Sequence, residues 1–233
     1  LELIGARNPI VIAQGAKDGR KVVPNDAAHD PESNLTMITG ANSGGKSTYM
    51  RTIGLMQYLA QQGMPVVAKS AKVSSVDHLL THFVSPDDLT KGDGLYQSEL
   101  KRMAAIFECA TPYSIIIVDE PCLGTSPDES EHQSQTILDA CNQLGAAVYF
   151  TTHYHNLANY VEQFSSAKNL QVERIPDKGS THRIIYGKAG KSYADDVARK
   201  TGVTKEALEK KILARAKKDN YAHLLRTSRS SRR

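Results

Sequence analysis

A mixed α/β fold, with a mostly parallel central sheet flanked by helices, is what this 233-residue sequence predicts, and three features carry the prediction. Short, nearly continuous apolar runs recur at residues 35–39, 114–119 and 146–151, as expected of strands buried on both faces. Segments of near-helical period separate them. The resulting order of strand, helix, strand, helix, strand is that of a sheet wrapped by helices.

In chain order, residues 35–39 form a β-rich run ending at a glycine-rich turn. Residues 46–62 then place Met50, Ile53, Leu55, Met56 and Leu59 close to a helical period, and Gly63 and Pro65 stop that helix. A strand is predicted within residues 73–84, and the polar stretch 85–94, with Pro86, Gly92 and Gly94, reads as a loop. Residues 98–110 make a second helix, ended by Thr111 and Pro112, and the buried strand 114–119 comes next. Residues 128–144 are helical and 146–151 form another buried strand. Residues 169–175 and 181–186 flank Pro176-Asp177-Lys178-Gly179 as a hairpin-like pair. Residues 193–218 are helical, with a break near Gly202-Val203-Thr204 where Thr204 supplies an N-cap. No repeat or linker precedes this helical segment.

Composition narrows the class. The hydrophobic fraction of 40% and charged fraction of 23% are ordinary for a globular domain. The longest apolar runs are far too short to span a bilayer, and the opening Leu1-Glu2-Leu3 has no signal-peptide character. Three irregularly spaced cysteines (Cys109, Cys122, Cys141) argue against a disulfide framework or a zinc site. A reducing, cytoplasmic or nucleoid-associated location without a membrane partner is the expectation. The net charge of +4 is uneven: residues 199–233 hold 12 Lys/Arg against 3 Asp/Glu, a surplus of +9 that leaves −5 for the rest. Basic tails favour phosphate backbones. A solvated helix face followed by a cloning or truncation remnant is the favoured account of this tail, so it carries no argument about DNA.

The chemistry lies in three motifs. Gly40-Ala41-Asn42-Ser43-Gly44-Gly45-Lys46-Ser47 fits G-x-x-x-x-G-K-[ST], between a strand and a helix. Glycines there let backbone N–H groups turn inward around phosphates, and the helix N-terminus adds a favourable dipole. Lys46 neutralises phosphate charge and the Ser47 hydroxyl is a Mg²⁺ ligand. Eight matched positions in this context outweigh a glycine-rich turn beside a chance lysine. Asp119-Glu120 closes the strand at 114–119, at the carboxyl edge where α/β sheets bind ligands. Asp119 is placed to hold Mg²⁺, directly or through water, and Glu120 to accept a proton from the attacking water or to orient it. His153, after Phe150-Thr151-Thr152, is placed to sense the terminal phosphate. His153 and His155 have no acidic or cysteine neighbour to complete a metal site.

Taken together, these motifs resemble the ABC-type P-loop ATPase domain of the MutS family of DNA mismatch repair proteins. The run Thr39 through Thr48-Tyr49-Met50-Arg51 is similar to the family's P-loop and following helix. Gly5-Ala6-Arg7-Asn8-Pro9-Ile10-Val11 resembles the segment opening its ATPase domain, and Val22-Val23-Pro24-Asn25-Asp26 the segment lining its nucleotide pocket. Asp119-Glu120 with Gly124-Thr125-Ser126, and Thr152-His153-Tyr154, match further stretches. Gly190-Lys191-Ser192-Tyr193, with Val197-Ala198 and Gly202-Val203, resembles the segment and helices that brace the family's dimers.

The resemblance implies an ATPase domain at residues 1–190, a helical dimerisation appendage at 191–218 and a basic, disordered tail at 219–233. ATP and Mg²⁺ would be held by Gly40, Ala41, Asn42, Ser43, Gly44, Gly45, Lys46, Ser47 and Thr48, with Val22 and Asn25 along the pocket. Lys46, Glu120 and His153 would act in hydrolysis, and Ser47 and Asp119 on the metal. Gly94, Leu95, Tyr96, Gln97 and Ser98 of an identical or different partner subunit would complete the site. DNA would be a partner of the full-length protein, whose mismatch-reading, lever and clamp domains are missing here. Four departures mark a divergent subfamily: Ala41 for a usual Pro, Gly94 for a Ser, Leu123 for an Arg, and Pro121. Two alternatives stay open: a transporter-like ABC ATPase, and a nucleotide-gated DNA-binding or scaffold module with weak hydrolysis.

Overall fold

The computed structural model describes residues 1–19, 21–29, 32–41, 43–83, 94–175, 179–188, 199 and 201–219. The chain divides into two compact units, Leu1–Gly190 and Lys191–Arg233. In the first, a six-stranded sheet has the order β5-β6-β7-β3-β8-β9. Its strands are β3 (Leu35–Thr39), β5 (Leu79–His82), β6 (Ile115–Asp119), β7 (Ala147–Thr152), β8 (Ala167–Ile175) and β9 (Gly179–Tyr186). The first five in spatial order run parallel; β9 returns antiparallel to β8.

The central strands are apolar throughout because both their faces are covered. On one face Met37, Ile116, Val118, Val148 and Phe150 meet α3 (Leu95–Cys109), α4 (Pro127–Leu144) and α5 (His155–Tyr160), through Met103, Ile106, Leu138, Cys141 and Leu157. On the other face Ile38, Ile115, Ile117, Ala147 and Tyr149 meet α2 (Lys46–Gln61) through Met50, Ile53 and Met56. Successive residues of a strand point to opposite faces, so each strand feeds both cores. The Gly54 position lets α2 approach closely: a Cβ there would lie 3.0 Å from the Ile117 Cδ1.

A second, three-stranded antiparallel sheet of order β2-β1-β4 lies over the α2 side. It comprises β1 (Glu2–Ala6), β2 (Asn25–Ala28) and β4 (Ser70–Lys72), and the helix α1 (Pro9–Asp18) connects β1 towards β2. The capping signals of α1 are complete: the Asn8 side chain accepts from the Ile10 and Val11 amides, Pro9 opens the first turn, and Gly19 closes it in a left-handed conformation. The same logic fixes α4 between Ser126-Pro127 and Gly145.

Several expected boundaries move. The helix expected at 98–110 begins at Leu95, so Leu95, Tyr96, Gln97 and Ser98 are its first turn and Gly94 its N-cap. The strand expected within 73–84 is confined to Leu79–His82. In the second unit α6 (Lys205–Lys218) is capped by Thr204, whose hydroxyl accepts from the Ala207 amide at 3.2 Å. Asn42, the loop 85–93, the turn 176–178, residues 189–198 and the tail from 220 lie outside the described residues. Among the described residues, no helix is long and apolar enough to cross a membrane.

Burial sorts the thiols. Cys122 and Cys141 are both 1% exposed, and loss of solvent pushes each thiol up to about 12, whereas Cys109 is exposed. Ellman titration at pH 8 is expected to detect one reactive thiol in the native protein and three after denaturation.

Candidate functional site

The carboxyl ends of β3, β6 and β7 meet because the three strands are adjacent, parallel and in register: Thr39 pairs with Thr152, and Asp119 with Thr151. The glycine-rich turn after β3, Glu120 after β6 and His153 after β7 are therefore gathered at one edge of the sheet.

The turn needs its glycines. Gly40 has φ 137°, and a Cβ there would stand 2.8 Å from the Val172 Cγ2 of β8. At Gly44 a Cβ would fall 2.8 Å from the Ala41 carbonyl oxygen, which accepts the Gly44 amide at 3.0 Å. Ser43 is itself left-handed at φ 64°. The turn delivers the chain into α2 with Gly45 at the N-cap, no side-chain cap and no acidic residue in the first turn. The positive end of the helix thus faces the cavity with no acidic side chain of its own first turn beside it.

Lys46 is 3% exposed, and its ammonium donates to the carbonyls of Gly40 at 2.8 Å and Ala41 at 3.3 Å. It also pairs with Glu120 Oε1 at 3.0 Å, and Glu120 Oε2 lies 3.9 Å from His153 Nδ1. Glu120 thus stands between Lys46 and His153 at the sheet edge. Glu120 sits in the left-handed region at φ 46°, unusual for a residue with a side chain. Its amide donates to both the hydroxyl and the carbonyl of Thr151, at 3.1 and 3.3 Å. The same hydroxyl donates to Asp119 Oδ1 at 2.6 Å.

Beside this edge opens a cavity of about 510 Å³. One end is polar, formed by Ala41, Ser43, Gly44, Gly45, Lys46, Ser47, Thr48 and Glu120. The other is more apolar, formed by the small sheet, α1 and the segment between α1 and β2, with Leu3, Ala6, Val11, Val22, Val23 and Ala27. The volume suits a nucleotide-sized ligand with an anionic end at the turn and a flat end between aliphatic side chains. Val22 and Asn25 both line it. Asp119 and His153 lie beside it, next to Glu120, rather than on its wall. Gly94, Leu95, Tyr96, Gln97 and Ser98 are elsewhere: a Cβ on Gly124 would come 2.5 Å from the Tyr96 amide nitrogen, so the start of α3 packs on the loop after β6.

Sequence reasoning missed His182. The β8–β9 register slips between Val172–Ile184 and Arg174–Ser180, and His182 stands in that bulge at φ 60°. Bulges re-aim side chains; here the imidazole Nδ1 comes 3.3 Å from the Gly44 carbonyl and the ring lines the cavity. Asn25 ties the bulge to the small sheet, donating to the His182 carbonyl at 3.0 Å and accepting from the Ile184 amide at 2.7 Å. Among the described residues, no group of three or more His, Cys, Asp or Glu could hold a metal ion.

The first unit is thus an α/β domain with a glycine-rich turn, a buried lysine and two consecutive acids gathered at one sheet edge. Residues 36–220 match the family described as MutS domain V. The chain is similar to the DNA mismatch repair protein MutS of Rhodopirellula baltica, at 36% identity over 230 residues covering 94% of this chain and 25% of that protein. It is also 36% identical to those of Fusobacterium nucleatum (90% of this chain, 24% of that protein) and Carboxydothermus hydrogenoformans (92% and 26%). The chain belongs to the MutS family. It spans about a quarter of the length of the curated relatives it matches.

Gly40→Ala is expected to lower stability by roughly 1–3 kcal/mol, since it adds a steric clash to a strained φ. Gly63→Ala, also at positive φ but in open space, should cost less. Urea denaturation followed by circular dichroism compares the two.

Proposed function

We propose that this chain binds ATP with Mg²⁺ and hydrolyses it, as the nucleotide-driven part of a DNA mismatch-repair or DNA-structure-binding protein of ABC-type, P-loop architecture. One observation carries the reading: the Lys46–Glu120 contact of 3.0 Å stands at the polar end of a nucleotide-sized cavity, beside the uncapped start of α2. Cation and helix N-terminus together favour the terminal phosphates, while the aliphatic end takes the base.

Lys46 stabilises phosphate charge, and Glu120 orients the attacking water and takes up its proton. His153, within 3.9 Å of Glu120, holds that carboxylate's orientation and senses the phosphate product. The Ser47 hydroxyl and Asp119 would hold Mg²⁺; two hard oxygen donors suit an ion that completes its shell with water and phosphate. When bound, the ion supplies charge neutralisation at the phosphate oxygens.

Gly94 to Ser98 lies outside this cavity, at a helix start with no side-chain cap, which suits donation of backbone N–H groups to the site of a second copy or a related subunit. The segment 191–218 would brace that dimer. Closure on ATP and opening after hydrolysis would then move the DNA-holding parts of a full-length relative.

Glu120→Gln is expected to keep ATP binding, accumulate a dimer and lower turnover on the order of 10²-fold or more. Hydrolysis at the unmodified rate would remove Glu120 from the mechanism. Turnover with mismatched, branched and homoduplex DNA separates the readings further: no response to any DNA favours a transporter-like motor.

A further inference from the structure

We infer that Thr151 is the positioning residue of this site: its one hydroxyl sets both the metal-side carboxylate of Asp119 and the backbone of Glu120. The inference rests on the ATPase reading and deepens it.

The hydrogen-bond directions are forced. An amide N–H only donates, so at the 3.1 Å contact with Glu120 the Thr151 Oγ1 must accept. Its single proton is then left for the other contact, 2.6 Å from Asp119 Oδ1, which must accept it. Asp119 Oδ1 is thereby committed to Thr151, and Oδ2 is left to meet a cation. Thr151 is 0% exposed, so water cannot take over the hydroxyl's work. Its β-branched side chain on a buried strand holds χ1 stiffly, which fixes where the oxygen stands.

The second half of the device is conformational. Glu120 has φ 46°, a conformation costing a side-chain-bearing residue of order 1–3 kcal/mol unless its surroundings impose it. The two bonds its amide makes to Thr151 hold the peptide plane from which the chain enters that conformation. The turn at Glu120 lets consecutive residues serve different tasks: Asp119 is held back at Thr151, and Glu120 reaches Lys46. In an extended strand the two carboxylates would point to opposite faces of the sheet. Thr151 converts a strand end into a two-acid site.

The test uses the full 233-residue chain and the replacements Thr151→Val and Thr151→Ser. Valine keeps the shape and removes the hydroxyl; serine restores the hydroxyl without the methyl. Affinity for a fluorescent ATP analogue is titrated in EDTA and in Mg²⁺, with turnover measured alongside. Thr151→Val is expected to keep the EDTA affinity within about twofold but to lose about tenfold or more of the Mg²⁺-dependent tightening and of kcat. Thr151→Ser should regain both. Equal loss of affinity in EDTA and Mg²⁺, or failure of serine to rescue, makes Thr151 a packing residue and overturns the inference. So does an unchanged Mg²⁺ response in the valine variant. If the unmodified chain binds no analogue in either medium, the ATPase reading itself fails, and the inference with it.

Discussion

Everything at the site depends on one constraint: three parallel strands whose two faces are both buried. β3, β6 and β7 cannot slip relative to one another by a single residue without exchanging the residues of the two cores. Met37, Val118 and Phe150 would leave the α3–α4–α5 face, and Ile38, Ile117 and Tyr149 would leave the α2 face. The register that packs the interior is thus also the register that sets Thr39 beside Thr152 and Asp119 beside Thr151. Chemistry at the rim is placed to within a hydrogen bond by apolar side chains that never touch it.

Backbone geometry then separates groups that adjacency in sequence would keep together. Gly40, Ser43 and Gly45 turn the chain from β3 into α2 with positive φ values, which exposes the amide end of the helix. Glu120 and Cys122 do the same after β6. The cost of these conformations is met by the packed sheet beneath, as with strain stored at functional sites in general.

The central strands, the glycine-rich turn and the acidic pair are legible in the sequence because each leaves a local signature. Burial on both faces writes an unbroken apolar run at residues 115–118, and a turn with positive φ values writes glycines at Gly40 and Gly45. The small sheet is not legible. Its strands are three to five residues long, read ELIGA, NDAA and SAK, and find partners far along the chain. α1 carries clear caps at Asn8-Pro9 and Gly19, but only Gly15 within it is buried, so it has no apolar stripe to read. The start of α3 lies three residues ahead of where its pattern suggests, because Gly94 caps it without a side chain. His182 and Thr151 owe their importance to a bulge and a cross-strand contact, and neither leaves a mark within its own neighbourhood of the chain.

The two hydrogen bonds of Asn25 have a mechanical meaning. Its carboxamide meets the His182 carbonyl and the Ile184 amide as a peptide group of a neighbouring strand would, so one side chain acts as a single extra rung. That rung rivets two independent sheets into a common jaw around the cavity. Lys168, donating to the Ala28 carbonyl at 2.7 Å, adds a second tie, so the small sheet is fastened at both ends of β2.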